Sequence, residues 1–565
     1  MFVSTKDGGT AISNIRDGLS NMFNVADIKP ALRHMSLGLL CLCSLVLQAQ
    51  GNRIFLEHAN STNFDKNISP DYHFLIGDVQ FRHDSARLYC DTAHYYRVDN
   101  SLRAFGNVRI EQGDTLFIYG KTLFYDGNKK LAQLRNNVRM VNKEVTLFTD
   151  HLDYDRVANI GYYYRGGKIV DASNTLSSDY GRYNPDTKMA FFKKDVVLTH
   201  PQFLLKTDTL NYNTETGTAS IISRTEIEAE NADIIAYRGW YNTKTDKSLL
   251  LDRSYIISEK RSLTADSILY EQSLDIGEAF VNIELIDSSR NTTLTSDYAF
   301  YDQSNNYVLL TKKALLREYS GQDTFYLHAD TLLGKQDSIY DTFRAYYNVR
   351  SYRRDLQGLC DSAFYSTRDS VLQLFGNPIL WADNQQISGQ QILLYTKNQQ
   401  PDYMEVEGLA LLASKEDSGL FNQSSGRKLT AYFLDNKVRR VVIEGNPESI
   451  YLPRDEKQKI LGMNRLENGS LYIFMDKEGK VERLKVSPQP KGKFYPLQLL
   501  TEEVKYLEHF SWPIHLRPTD PADVFRLTDR PRAENMSTNI EGAAGEGANA
   551  PDRAALRTFK SKNSK

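Results

Sequence analysis

The chain has 565 residues, a formal net charge of −2 and 41% hydrophobic residues. Balanced charge argues against a nucleic-acid binder, which carries a basic excess, and the length allows several domains or one long array. Tyr (34) and Phe (26) are plentiful, whereas helix-forming runs are scarce, a composition that suits strands.

Residues 1–49 read as an N-terminal extension and signal peptide. Lys29, Arg33 and His34 precede an apolar run from Leu37 to Leu47, and cleavage after Ala49 fits. The run falls well short of the ~20 residues that span a bilayer. A start at Met22 instead of Met1 would leave a signal of ordinary length. Neither Cys41 nor Cys43 follows the small residue that a lipoprotein signal needs. No later apolar run is long enough to cross a membrane as a helix, so the mature chain is expected to be soluble.

From about Arg53 the chain repeats. A Tyr recurs at Tyr95, Tyr125, Tyr154, Tyr183, Tyr212, Tyr241, Tyr270 and Tyr301, with steps of 29 to 31 residues. Gly334 stands in the next Tyr place, and Tyr365 and Tyr395 resume the column. Self-similarity at such a period marks an array in which neighbouring units stack. Four residues before most of these positions is an Asp: Asp91, Asp150, Asp179, Asp208, Asp266, Asp297, Asp330 and Asp361. A small residue precedes it, and an aliphatic residue stands two positions earlier still. That aliphatic column is Leu88, Ile118, Leu147, Leu176, Leu205, Ile234, Leu263, Leu294 and Leu327.

Strand side chains alternate faces with period two. In each repeat the aliphatic and small positions share one parity, and the apolar position after Asp and the Tyr share the other. The phase change at the small-Asp step reads as a bulge or corner, with Asp bonding nearby backbone. Steps such as Gly106-Asn107-Val108 and Gly376-Asn377-Pro378 tolerate positive φ and predict a kink before the next strand. The unit is therefore strand, turn, strand, with no room for a regular helix. Cys90 and Cys360, the two cysteines outside the export segment, fill the small column nine repeats apart. At one strand spacing per repeat they would lie roughly 40 Å apart, so both are expected to be free thiols.

Toward the C-terminus the pattern loosens. Residues 414–428 read as a polar loop, 469–486 as a closing hairpin and 495–511 as holding a short helix. Four regions result: 1–49, the array over 53–450, a closing segment over 451–529, and a disordered tail over 530–565.

No catalytic constellation stands out, and the chain is read as a non-enzyme without cofactor or metal. The run Gly161 to Lys168 fails as a phosphate loop because Gly167 occupies the Lys place. His94 and His328 lack ligand partners at metal-site spacing. One Asp per repeat falls short of a calcium-binding solenoid.

The repeated motif from Leu88 to Tyr95 with Gly106-Asn107-Val108, and its copy at Leu263-Thr264-Ala265-Asp266-Ser267-Ile268, resembles the OstA-like family of lipopolysaccharide-transport proteins. That family includes the bridge protein LptA and the N-terminal domain of LptD. The resemblance runs over roughly 53–450 and is greatest to the long OstA-like proteins of Bacteroidetes-type bacteria. It implies an all-β fold: an elongated repeat array of antiparallel strands forming an open β-jellyroll. It also implies a periplasmic bridge, possibly associated with the outer membrane, whose apolar trough shields the acyl chains of lipid A and which helps outer-membrane assembly. The implied lining is Leu88, Ile118, Leu147, Leu176, Leu205, Ile234, Leu263, Ile268, Leu294 and Leu327. Implied partners are lipopolysaccharide and, by end-to-end strand addition, LptC-like or LptD-like proteins or a second copy. About twelve repeats at two strand spacings each would run roughly 110 Å. The residues leave open an exported β-solenoid adhesin or glycan binder, or an outer-membrane β-barrel.

Overall fold

A computed structural model of the chain describes residues 53–65, 70–230, 232–398, 400–417, 419–478 and 481–527. The export segment, the alternative start and the C-terminal tail lie outside the described residues. The chain divides into two compact units, one ending at Arg135 and the other starting at Asn136.

In the first unit, β1 (Phe55–His58) and β2 (Ser61–Asn63) both pair along β3 (His73–His83). Then β3, β4 (Ala86–Tyr96), β5 (Ser101–Gln112) and β6 (Leu116–Asp126) pair antiparallel in chain order. Strand β7 (Leu131–Asn142) passes through the boundary between the units.

In the second unit, β8 (Val145–Asp155), β9 (Ile160–Val170), β10 (Thr175–Tyr183), β11 (Met189–His200) and β12 (Phe203–Asn213) pair antiparallel in chain order. Next come β13 (Thr218–Ile221) with β14 (Thr225–Ala229), and β15 (Asp233–Ala236) with β16 (Arg238–Asn242). Both members of the first pair bond to β12, and both members of the second bond to β17 (Lys247–Ile257). Each pair is thus one long strand interrupted midway. Unbroken strands follow: β18 (Arg261–Glu271), β19 (Ile276–Asp287), β20 (Thr292–Asp302), β21 (Tyr307–Glu318), β22 (Phe325–Gln336), β23 (Asp341–Arg353) and β24 (Leu356–Ser366). The ladder continues through β25 (Val371–Phe375), β26 (Ile379–Ala382), β27 (Gln385–Ser388) and β28 (Gln391–Lys397) to β29 (Gln400–Asp417) and β30 (Leu420–Leu434). It finishes with β31 (Lys437–Glu444), β32 (Glu448–Tyr451), β33 (Gly462–Glu467), β34 (Ser470–Met475), β35 (Val481–Ser487) and β36 (Lys491–Pro496).

The all-β, antiparallel class expected from the repeats is the one observed. The kink, however, lies inside the strands rather than between them. In β11 the register with β12 runs through Lys193↔Thr209 and resumes at Val196↔Thr207. Lys194 and Asp195, at φ 66° and 52°, therefore face the single residue Asp208. Two residues opposite one is a β-bulge, and it bends the strand. The device recurs at Asp252/Arg253, Val281/Asn282 and Lys312/Lys313, all at positive φ. The motif Asp stands opposite these corners and bonds across strands rather than to its own turn. Asn282 Nδ2 donates to Asp266 Oδ2 at 2.6 Å, Asn348 Nδ2 to Asp330 Oδ2 at 2.7 Å, and Lys313 Nζ lies 3.1 Å from Asp297 Oδ2. Cys90 and Cys360 sit in the small column, both buried and neither in a disulfide.

Residues 414–428 are a correction to the sequence reading. They form the tip of the long β29–β30 hairpin, not a loop. Their polar side chains are tolerated because the C-terminal segment covers them: Gln423 is 1% exposed, its Nε2 donates to Lys505 O, and its Oε1 accepts from Leu507 N. The expected hairpin is β34–β35, and the expected helix is the single turn α1 (Glu502–Lys505).

From Leu507 the chain runs back along the outside of the sheet. Ser511 O accepts from Gln386 Nε2, Arg517 Nε donates to Gln357 Oε1, and Arg350 Nε donates to Asp523 O. This strap buries Trp381, Leu359 and Arg350, side chains on the outer parity of their strands.

Candidate functional site

Cross-strand neighbours turn the aliphatic column into a continuous row. In the second unit it reads Leu147↔Ile169↔Leu176↔Leu198↔Leu205↔Ile227↔Ile234. It continues Ile234↔Ile256↔Leu263↔Leu285↔Leu294↔Leu316↔Leu327. Every member is Leu or Ile. Beyond the corner a second row alternates aromatic and small residues: Tyr183↔Ala190↔Tyr212↔Ala219↔Tyr241↔Ser248↔Tyr270↔Gly277↔Tyr301. Alternation of large and small lets rings lie side by side along the sheet. The corner bends each strand so that the two rows form facing walls over a shared floor. Leu294, Leu316 and Leu327 of one wall and Val308 and Phe343 of the other pack on the same buried cluster of Leu310, Ala314, Ala329, Leu332 and Ala345.

The walls are not uniformly apart. Between β8 and β14 they are shut. Leu147, Leu176 and Leu205 are at most 1% exposed, and Ile227 is 5%. Hydrogen bonds run rim to rim, linking the turn beyond one wall to a Tyr about 41 residues later. Asn142 Nδ2 donates to Tyr183 OH at 3.3 Å, and Tyr212 OH donates to Asp171 Oδ2 at 2.6 Å. Asn174, buried on the same turn, donates to Tyr212 OH at 2.9 Å. The same tie occurs within the first unit, where Tyr95 OH donates to Ile54 O and the His83 ring lies 2.6 Å from Tyr125 OH. At the next step the tie becomes a ring contact, Phe203 against Tyr241 with centroids 4.7 Å apart.

Beyond it the walls part. Ala229 stands 41 residues before Tyr270 and has no side-chain hydrogen-bonding group. Ile234, Ile256, Leu263, Leu285, Leu294, Leu316 and Leu327 are all partly exposed, and so are Tyr270, Val308 and Phe343, while Tyr301 is 37% exposed. The result is a groove with aliphatic and aromatic walls and a buried floor that includes Ile268, Ala279 and Leu310. From Met404 the Tyr-side wall is buried again as Met404, Ala431, Val441 and Ile473 join one core cluster.

The rims of the groove are polar. On the aliphatic side, Asp287 is buried and lies 3.0 Å from Arg261. Burial opposes its charge, but the Ser289 hydroxyl and Arg261 outweigh that and hold the carboxyl below its usual range. Arg290, on the same rim, reaches Asp341 on the opposite rim at 2.8 Å, an exposed pair that spans the mouth. Burial raises the phenols of Tyr270 and Tyr301, which stay neutral at ordinary pH.

The ten expected lining residues thus fall into three groups. Leu88, Ile118, Leu147, Leu176 and Leu205 are core residues of shut sections. Ile268 lies in the floor. Ile234, Leu263, Leu294 and Leu327 line the open groove. The sequence reading missed Ile256, Leu285 and Leu316, which lie on the partner strand of each repeat. Their signal was the parity of the residues after each Gly-Asn-Val-like step.

Among the described residues there is no cluster of metal-ligating side chains. Likewise, no helix among them is long and apolar enough to cross a membrane. What such an arrangement can do is exclude water from apolar chains. Comparison with curated proteins finds no match. The profile of the OstA-like protein family matches residues 51–208, a stretch that reaches into β12, and over those residues the chain is similar to that family.

Proposed function

We propose that the protein is a lipopolysaccharide-transport protein of the cell envelope that shields lipid A acyl chains in the groove between β15 and β24. The single observation that carries this is the exposure of one uninterrupted aliphatic row, Ile234 to Leu327, whose earlier members are wholly buried. Leaving seven such side chains partly in water is unfavourable, and burying each CH₂ of a ligand against them contributes about 0.8 kcal/mol. The match to the OstA-like family over residues 51–208 supports the class of cargo. The protein acts by binding alone, in the periplasm, with the array over 53–450 as its body and 451–529 as its closing segment. The exposed strands β1 and β2 suit docking to LptC-like or LptD-like partners by strand addition.

The test is in-cell photo-crosslinking. A photoreactive residue replaces Leu263, Leu294 or Leu327, with Leu147 and Leu176 as shut-section controls. Lipopolysaccharide is expected to be trapped at the first three positions. Its absence at all three removes the reading.

A further inference from the structure

Strands β28 to β31, β34 and β35 carry on their outer face a row that the groove does not use. Met404, Ala431, Val441 and Ile473 belong to the buried core. Their chain neighbours therefore point outward, and cross-strand pairing lines them up as Tyr395↔Tyr403↔Tyr432↔Arg440↔Phe474↔Arg483. The row spans five strand steps, roughly 24 Å, and every member is exposed or partly exposed. The Tyr395 and Tyr403 rings stack with centroids 4.2 Å apart. Arg440 Cζ lies 4.0 Å from the Tyr432 centroid, and Arg483 Cζ lies 4.1 Å from that of Phe474. Cross-strand aromatic pairs support any sheet, but an isolated contact suffices for that: Arg344 over Phe364 is flanked by Leu333 and Gln373. Here the contacts run unbroken. Stacked rings such as Tyr395 and Tyr403 turn their edges to solvent, so the row offers phenol hydroxyls followed by guanidinium N–H groups. Among the described residues no carboxylate pairs with Arg440 or Arg483, and no group accepts from the three hydroxyls. Glu405, two residues from Tyr403 on the same face, is held by Lys428 at 2.7 Å. A guanidinium stacked on a ring is in place before a ligand arrives and loses little freedom in pairing with a phosphate or carboxylate.

Donors at intervals, two of them charged, suit a ligand with many hydroxyls and few anionic groups, which describes a phosphorylated saccharide. A nucleic acid, with a phosphate on every unit, would also meet Glu405 and Glu407 on this face. Position argues for the source. The apolar rows run on past β24, through Leu380, Ile387 and Leu412 on one side and through Leu372 and Leu394 on the other, all partly exposed. Leu394, on the inner wall, and Tyr395, on the outer face, are consecutive, and β28 ends two residues later at Lys397. A lipid whose tails lie against Leu372 and Leu394 has its polar end at that rim, beside the first rungs of the ladder. We infer that the ladder is a second site, outside the groove, for the phosphorylated saccharide of the lipid whose acyl chains the groove holds. The source of the saccharide rests on the acyl-chain reading; the binding itself does not. With this site the protein recognises a lipid by its head as well as by its tails.

The experiment uses the full chain and two probes: the phosphorylated saccharide left after complete deacylation of lipopolysaccharide, titrated by calorimetry, and a fluorescent fatty acid, titrated by emission. The parent protein is expected to bind the lipid-free saccharide. The double variant Arg440→Ala, Arg483→Ala is expected to bind it several-fold more weakly while its fatty-acid binding is unchanged. Enzymatic removal of the phosphates is expected to weaken binding to the parent and to leave the variant unaffected. No saccharide binding by the parent, or equal binding by parent and variant, would overturn the ladder as a site. A single-stranded oligonucleotide bound as tightly as the saccharide would overturn the ligand class. Saccharide binding without fatty-acid binding would instead overturn the acyl-chain reading and leave the ladder standing.

Discussion

The Tyr212 hydroxyl donates to Asp171 Oδ2 at 2.6 Å across 41 residues of chain, and among the described residues the hydroxyl ties from rim to rim end there. Burial, then Asp171 itself, raise the Tyr212 phenol and keep it a donor. Tyr212→Phe removes the donor and leaves Asp171 and the buried Asn174 short of a partner. The expected loss is about 1–3 kcal/mol, read as a lowered urea midpoint. Equal midpoints for the variant and the parent would show that the tie is incidental.

Leu176 and Leu294 occupy the same column, yet only the first is fully buried. Leu176→Ala should cost about 2–5 kcal/mol, because it leaves a cavity in a packed interior. Leu294→Ala should cost about 1 kcal/mol or less in stability and should weaken fatty-acid binding several-fold. Chemical unfolding and a binding titration on the same two variants separate the roles.

Gly376 and Gly166 both stand in corners at positive φ, 75° and 93°. A Cβ at Gly376 would overlap the Asp361 side chain, whereas at Gly166 it would meet open space. Both changes to Ala incur the backbone penalty of about 1 kcal/mol. Gly376→Ala is expected to lose clearly more, with the difference visible in thermal melts.

Arg350 is 1% exposed and meets the strap at Asp523, whose carboxylate lies 3.6 Å away. Phe525 packs on the neighbouring His328, with ring centroids 4.7 Å apart. Asp523→Ala should leave a buried cation poorly compensated and cost up to roughly 3–5 kcal/mol. Faster limited proteolysis within 511–527 is the readout. Adding Arg350→Met should restore much of the protection, since an apolar residue of similar length needs no counter-charge.

Alkaline pH should loosen the fold before acid does anything comparable to these groups. Burial pushes the Tyr163 phenol from 10.0 up to about 12, only partly offset by its hydrogen bond with Ser178. Burial, then the charge of Asp91, push the Cys90 thiol from 9.0 up to about 12. Both groups are neutral when protonated, and folding favours that form. Their stabilisation is complete below the unfolded values and is lost as pH climbs toward about 12. Denaturant midpoints should hold steady through neutral pH and fall across this alkaline range. Cys90 should resist alkylation in the folded protein at mildly alkaline pH.

Much of the fold was legible because it is local. The period-two alternation, the Tyr column and the small-Asp step identified the strands and the phase change in each one. The corner was harder to place, because the bend sits on the neighbouring strand: Lys194-Asp195 faces Asp208, and Asp252-Arg253 stands beside Asp266. The reading of 414–428 as a loop failed for a related reason. Its polar side chains are covered by a strap from about 80 residues downstream, and no local pattern announces that cover.

The sequence by itself determined that Leu205 and Leu263 occupy equivalent places in one apolar row, since both precede the small-Asp step on strands of the same parity. It did not determine that the first lies in a shut core and the second on an open wall. That difference goes with the ties across the rims: Asp171 accepts from Tyr212, whereas Ala229, at the same distance before Tyr270, has no polar side chain. Two identical leucines thus differ in exposure because of hydrogen bonds that neither makes, and only the tertiary structure brings those partners together.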